Sequence, residues 1–203
     1  MKKSNKNYCR DYQGHMNYDI SKSHYESLIR TLKYNQNIVA SESSPLAFEL
    51  EKKLIKEFAN DMGYPSNSWG YITSGGTISN IEALWIARNK SRAMNKDPQY
   101  VLAPDDCHYS IKKACDIVGL KIKPLKIDVN IPPNQIAGVV CLCGSTETGR
   151  SDDIISWSKY CKDYNIHLHV DACFGGYYRY CKDSDLLSKP NKAMLNNYYL
   201  ADS

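Results

Sequence analysis

Leu46, Leu50, Leu54, Phe58 and Met62 recur at every fourth position with lysines and acids between them, a stripe that predicts an amphipathic helix over residues 45–62. Gly63 and Pro65 follow and stop it. A further helix is expected over 23–35. Residues 70–73, Gly-Tyr-Ile-Thr, read as a short strand that runs into Ser74-Gly75-Gly76-Thr77, after which Ile81, Leu84, Trp85 and Ile86 mark a helix over 78–90. Residues 101–103 predict a strand, and after Pro104 a helix is expected over 108–118, closed by Gly119. A strand is expected over 120–127. The run 137–143 is almost continuously apolar, as strands in the middle of a parallel sheet are. An amphipathic helix over 152–164 and a strand over 166–170 complete the series.

Strands alternating with helices predict an α/β fold with a mostly parallel sheet flanked by helices. In such sheets ligands collect beyond the carboxyl ends of the strands. Gly75 to Thr77, His108, Thr146 and Asp171 all fall at or after predicted strand ends, so one pocket can gather them.

The chain has 203 residues, 42% hydrophobic and 24% charged, enough to bury a core. Its formal charge of +4 is small and its lysines are scattered among acids, which points to no nucleic acid and no anionic membrane as partner. The basic start is followed by Tyr8-Cys9-Arg10-Asp11 in place of the apolar stretch of a signal peptide, and no apolar run is long enough to cross a bilayer. A cytoplasmic protein is expected. Eight cysteines sit largely inside apolar or helical segments and are expected to be reduced. Cys141 and Cys143 share a strand face, but no second pair stands at matching spacing, so no metal site is expected.

Two segments carry candidate chemistry. Gly75 and Gly76 let backbone N–H groups approach an anion, and Thr77 adds a hydroxyl at the start of a helix whose dipole favours negative charge. This is a phosphate cradle or an ordinary strand-to-helix turn; it lacks the lysine of a P-loop and the third glycine of a dinucleotide fold. Asp171 ends the strand His169-Val170-Asp171, ahead of Ala172, Gly175 and Gly176. Alone it reads as a cap or turn residue. The combination of an anion cradle, a strand-end acid and a ring-sized histidine, His108, between them makes a functional reading of Asp171 stronger than the cap or turn reading alone.

The ordered stretches Trp69-Gly70-Tyr71-Ile72-Thr73-Ser74-Gly75-Gly76-Thr77, Asp106-Cys107-His108-Tyr109-Ser110 with Lys113-Ala114, Gly144-Ser145-Thr146-Glu147-Thr148-Gly149, and His169-Val170-Asp171-Ala172 with Gly175-Gly176 resemble the group II pyridoxal-phosphate-dependent amino-acid decarboxylases. Within that group the chain is most similar to the tyrosine decarboxylase branch, through Gly14-His15-Met16-Asn17, Ser41-Glu42-Ser43-Ser44-Pro45 and Ala83-Leu84-Trp85-Ile86-Ala87-Arg88-Asn89. The resemblance implies part of the large domain of the aspartate-aminotransferase-like, fold type I, pyridoxal-phosphate enzymes, with residues 1–40 as a connecting segment and 41–203 as the cofactor-binding core. It implies pyridoxal 5'-phosphate as cofactor, held at the phosphate by Gly76 and Thr77 with Gly75 shaping the turn. His108 would stack on the ring, Thr146 would sit by its hydroxyl side, Asp171 would pair with the ring nitrogen, and Ala172 and Cys173 would lie near the opposite face. His15 and Asn17 would approach the substrate, expected to be tyrosine or another aromatic amino acid. The intact enzyme would be a homodimer.

The resemblance also implies that the chain stops a few residues before the Schiff-base lysine of the family and lacks the small C-terminal domain. Lys182, Lys189 and Lys192 stand in polar segments where an amine stays protonated and unreactive. On that expectation the chain is a piece of a decarboxylase, an inactive fragment or a cofactor-binding partner subunit, with glutamate or histidine decarboxylation and a sphingosine-phosphate-lyase-like carbon–carbon cleavage as further alternatives.

Overall fold

The structure, a computed structural model, describes residues 20–127, 130–181 and 187–203. The chain divides into two compact units, residues 1–51 and 52–203. In the first, α1 (Lys22–Tyr34) starts at Ser21, whose side chain accepts from the His24 N–H, and ends at Asn35 in the left-handed conformation. Both are the capping devices that helix ends require. The division falls within α2 (Pro45–Asp61). The apolar stripe that predicts α2 is not buried: Leu46 is 59% and Phe58 40% exposed.

The second unit is built on a four-stranded, fully parallel sheet in the order β2-β1-β3-β4, formed by β1 (Tyr100–Ala103), β2 (Lys121–Pro124), β3 (Ile136–Leu142) and β4 (His167–Asp171). Helices α3 (Gly76–Ala93), α4 (Tyr109–Val118) and α5 (Ile154–Tyr164) flank it, and the short α6 (Lys189–Met194) follows. This is the α/β architecture with a mostly parallel sheet that the alternation predicts.

All seven residues of β3 are buried, which explains its unbroken apolar run. Val139 and Cys141 join Ile154, Trp157 and Cys161 of α5 in one core cluster; Val140 and Leu142 join Leu84 of α3 and Ile111 and Ala114 of α4 in another. The sheet thus carries a core on each face. Seven cysteines are described, all free, and five of them are buried.

Two expectations are corrected. Residues 70–73 form no strand, and Ile72 is 53% exposed: the local pattern is strand-like, but no described strand pairs with it. The strand expected over 120–127 ends at Pro124, which has no N–H to continue a ladder.

Candidate functional site

After β1 the chain adds β2 on one side and then returns to add β3 on the other, so the direction of winding reverses between β1 and β3. A crevice opens beyond the carboxyl ends of parallel strands at such a reversal. A cavity of about 190 Å³ lies there.

One wall is the first turn of α3. Its N-cap, Gly75, supplies no side-chain bond to the helix, so the leading amides and the positive end of an 18-residue helix are left to a ligand. Gly76 and Thr77 line the cavity. A Cβ at Gly76 would stand 2.5 Å from the Cys173 sulfur, so any other residue here would have to displace the Cys173 side chain.

The second wall is His108, which caps α4: its Nδ1 accepts the Ser110 N–H at 3.3 Å and lies 2.7 Å from the Ser110 hydroxyl. The capping bonds fix the ring's place at the cavity. The third wall is the loop after β3, where Gly144, Ser145 and Thr146 line the cavity. Gly144 has φ of 76° and its missing Cβ would stand 2.8 Å from the Gly175 nitrogen. Arg150 ties this loop down. Its Nε donates to Asp106 Oδ2 at 2.8 Å, its Nη2 to the other Asp106 oxygen, and its Nη1 to Asp152 at 2.6 Å. The Gly144 and Ser145 N–H groups bond the Arg150 carbonyl. The hydrogen bonds from Arg150 hold the Asp106 carboxyl below the usual carboxylate range.

Asp171, the last residue of β4, is half-buried and faces the same cavity. Its Oδ2 accepts from Asn80 Nδ2 at 3.0 Å and its Oδ1 from the Cys173 N–H at 3.2 Å. Desolvation, then the neighbouring Asp171 carboxylate, pushes the Cys173 thiol up to about 11, so it stays a neutral thiol near pH 7 although the residue as a whole is exposed.

Of the residues singled out from the sequence, Gly76, Thr77, His108, Thr146, Asp171 and Cys173 line one cavity. Gly75 adjoins it as the cap of α3, and Ala172 turns instead to the core cluster under β4. His15, Asn17 and Lys182 lie outside the described residues. Lys189 is exposed and Lys192 half-buried, both in α6, and among the described residues no lysine lines the cavity. Asn80, Ser110, Ser145 and Phe174 also line the cavity: Ser110 and Ser145 stand in the sequence motifs without an assigned role, and Asn80 and Phe174 lie outside those motifs. Asn80 had only a weak signal: it is one of two polar members, with Ser91, of the buried stripe Asn80, Ala83, Leu84, Ala87 and Ser91.

An anion-accepting helix start, a ring at the side and a carboxylate at the far end suit a flat heteroaromatic ligand with a phosphate at one end and a basic nitrogen at the other. The comparisons agree. Residues 15–186 match the family model described as the pyridoxal-dependent decarboxylase conserved domain. A probable L-tyrosine/L-aspartate decarboxylase of Methanosphaerula palustris is 38% identical over 143 residues, which cover 65% of this chain and 38% of the relative. An L-tyrosine decarboxylase of Levilactobacillus brevis is 28% identical over 83% of this chain and 39% of its own length. The chain therefore spans less than two fifths of these relatives. The fold is similar to that of the glutamate decarboxylase domain of a Vibrio parahaemolyticus diaminobutyrate-pyruvate transaminase and L-2,4-diaminobutyrate decarboxylase, with a TM-score of 0.71 at 17% identity over 90% of this chain and 45% of that one.

Proposed function

The chain belongs to the pyridoxal-dependent decarboxylase family, and from that premise we propose that its cavity holds pyridoxal 5'-phosphate and serves the decarboxylation of tyrosine or another aromatic amino acid. The observation that carries the reading is that Asp171 and the uncapped first turn of α3 face one cavity, with His108 between them in the lining. The residues fit the cofactor: Gly76 leaves open the space a Cβ would fill, and Asp171 offers a carboxylate to a ring nitrogen.

Bound pyridoxal phosphate supplies an electron sink for the pair left on Cα when an amino acid loses its carboxylate. In this reading the first turn of α3, with Gly76, Thr77 and the turn at Gly75, binds the phosphate through backbone amides, the Thr77 hydroxyl and the helix dipole. His108, held by Ser110, would cover one face of the ring. Thr146 would stand by its hydroxyl side, and Cys173, as a neutral thiol, near the opposite face. Asp171 would hold a proton on the ring nitrogen by a charge-assisted hydrogen bond.

Residues 41–203 form the cofactor-binding part of the large domain, in a homodimeric cytoplasmic enzyme. The exposed Trp69 and Trp85 support a further covering surface. Among the described residues no helix is long and apolar enough to cross a membrane. The name of the Levilactobacillus brevis relative supports tyrosine as the first substrate to test.

The test is release of carbon dioxide from tyrosine, aspartate and glutamate by this chain joined to the lysine-bearing segment that the family resemblance implies, with added pyridoxal phosphate. The expected result is cofactor-dependent release, highest with tyrosine. Asp171→Ala should lower kcat on the order of 1000-fold, about 4 kcal/mol of barrier, while weakening cofactor binding far less. Normal turnover by that variant would overturn the role given to Asp171.

A further inference from the structure

In the cavity wall and behind it, three histidines, two serines and Asn80 form one connected set of hydrogen bonds that reaches Asp171. Asn80, His167, His169 and Ser110 are each less than a tenth exposed, whereas Ser203 is exposed and His108 half-buried, so each donor on the four buried residues needs an acceptor inside the protein. The direction of the set is fixed at one end, because an ionised carboxylate can only accept.

Asn80 must therefore turn its NH₂ toward Asp171 Oδ2, at 3.0 Å, and the second N–H of that group reaches Ser110 Oγ at 2.8 Å. Its carbonyl oxygen then lies 2.8 Å from His169 Nε2, which has to carry the ring proton. With Nε2 protonated, His169 Nδ1 is an acceptor, and Ser203 Oγ stands 3.1 Å from it as the donor. The same Ser203 oxygen lies 2.8 Å from His167 Nε2 and accepts there, which leaves His167 Nδ1 bare. That nitrogen is the one buried ring atom with no partner among the described residues, the place where a bare nitrogen costs least. On the other branch Ser110 Oγ, already accepting from Asn80, gives its proton to His108 Nδ1 at 2.7 Å, where the Ser110 N–H also donates.

The competing arrangement has His169 Nδ1 donate to the Ser203 carbonyl at 3.3 Å. It would make Nε2 an acceptor, reverse the Asn80 amide and set its oxygen against the Asp171 carboxylate. Burial also pushes His167 and His169 down from the ordinary histidine value, in keeping with neutral rings.

We propose that Asn80 is the positioning residue of this pocket: its one amide presents Asp171 as an acceptor and, through His169 on one side and Ser110 on the other, sets His167, His169 and His108 all as the Nε2–H tautomer. The role at Asp171 rests on the cofactor reading above. The tautomers do not depend on it.

The test is a multiple-bond ¹H–¹⁵N correlation spectrum of the full-length protein labelled at histidine, recorded near pH 7.5 without added cofactor. The expected result is a protonated Nε2 and a bare Nδ1 for all three rings. A protonated Nδ1 on His169 would overturn the proposal, whether or not the protein binds pyridoxal phosphate. Asn80→Leu, which removes both amide functions, should release His169 into a mixture of tautomers; an unchanged His169 pattern would also overturn it. Should Asn80→Leu fail to fold, Asn80→Ala removes the same amide functions with less bulk. It should likewise release His169 into a mixture of tautomers and weaken pyridoxal-phosphate binding at least tenfold against wild type. Wild-type affinity in that variant would count against the positioning role. Absence of binding in wild type would defeat the cofactor reading alone, since the tautomer pattern of the unmutated protein decides the network.

Discussion

Gly76 and Cys173 meet so closely that a side chain added at Gly76 would press on the Cys173 thiol. A Cβ at Gly76 would fall 2.5 Å from the Cys173 sulfur, well inside van der Waals contact. Gly76→Ala is expected to weaken pyridoxal-phosphate binding about tenfold, roughly 1.4 kcal/mol, and Gly76→Ala combined with Cys173→Ala should recover most of that loss in an absorption titration. Equal weakening in the single and double variants would remove the steric explanation. Gly175 is tighter still: a Cβ there would lie 2.2 Å from the Cys143 carbonyl oxygen, which is backbone and cannot swing aside. Gly175→Ala should cost about 3 kcal/mol in a denaturant melt, the upper end of overpacking penalties. At this scale Thr77, His108 and Asp171 were legible in the sequence because strand-end acids and helix-start glycines are local signals. The helical stripe marks Asn80 as a buried polar residue, but its role was not legible, because its partners His169 and Asp171 lie 89 and 91 positions away and no local spacing links them.

At the scale of elements, the helices were legible because their apolar periodicity and caps lie in contiguous sequence. Gly119, in the left-handed conformation with φ of 72°, closes α4 as its position predicts. The segment 70–73 misled because a strand is defined by its neighbour as well as by its own alternation. The loop after β3 shows the reverse case, since its conformation depends on an ion pair between Arg150 and Asp106, 44 residues apart. Both side chains are partly exposed, at 40% and 29%, so solvent screening limits what the pair contributes to stability to about 1 kcal/mol. Arg150→Ala should therefore lower Tm by only a few degrees while loosening Gly144 to Thr146, seen as faster amide hydrogen exchange in that loop. Exchange as slow as in wild type would show that Arg150 does not hold it.

At the scale of the whole molecule, the buried histidines impose a pH dependence on stability. Burial lowers the affinity of His167 and His169 for a proton in the folded state, whereas the unfolded chain takes up protons near the ordinary value of 6.5. The unfolded state thus binds more protons in the window from about 6.5 down to the depressed folded values. Stability is full above that window and falls as pH drops through it, by about 1.4 kcal/mol for each unit of depression. Tm should decline between pH 7.5 and 5.5, and His167→Gln should flatten the slope; a flat wild-type profile would contradict neutral buried rings. The parallel order of the sheet and the reversal between β1 and β3 put the first turn of α3, His108 and Asp171 around one cavity. The central claim is that this cavity is built for pyridoxal phosphate. It is tested most directly by a crystal structure of the protein grown with pyridoxal phosphate, reading the distance from the ring nitrogen to the Asp171 carboxylate. The account predicts about 2.8 Å, a charge-assisted bond, with the phosphate on the Gly76 and Thr77 amides. A cofactor bound elsewhere, or bound here with its ring nitrogen turned away from Asp171, would contradict it.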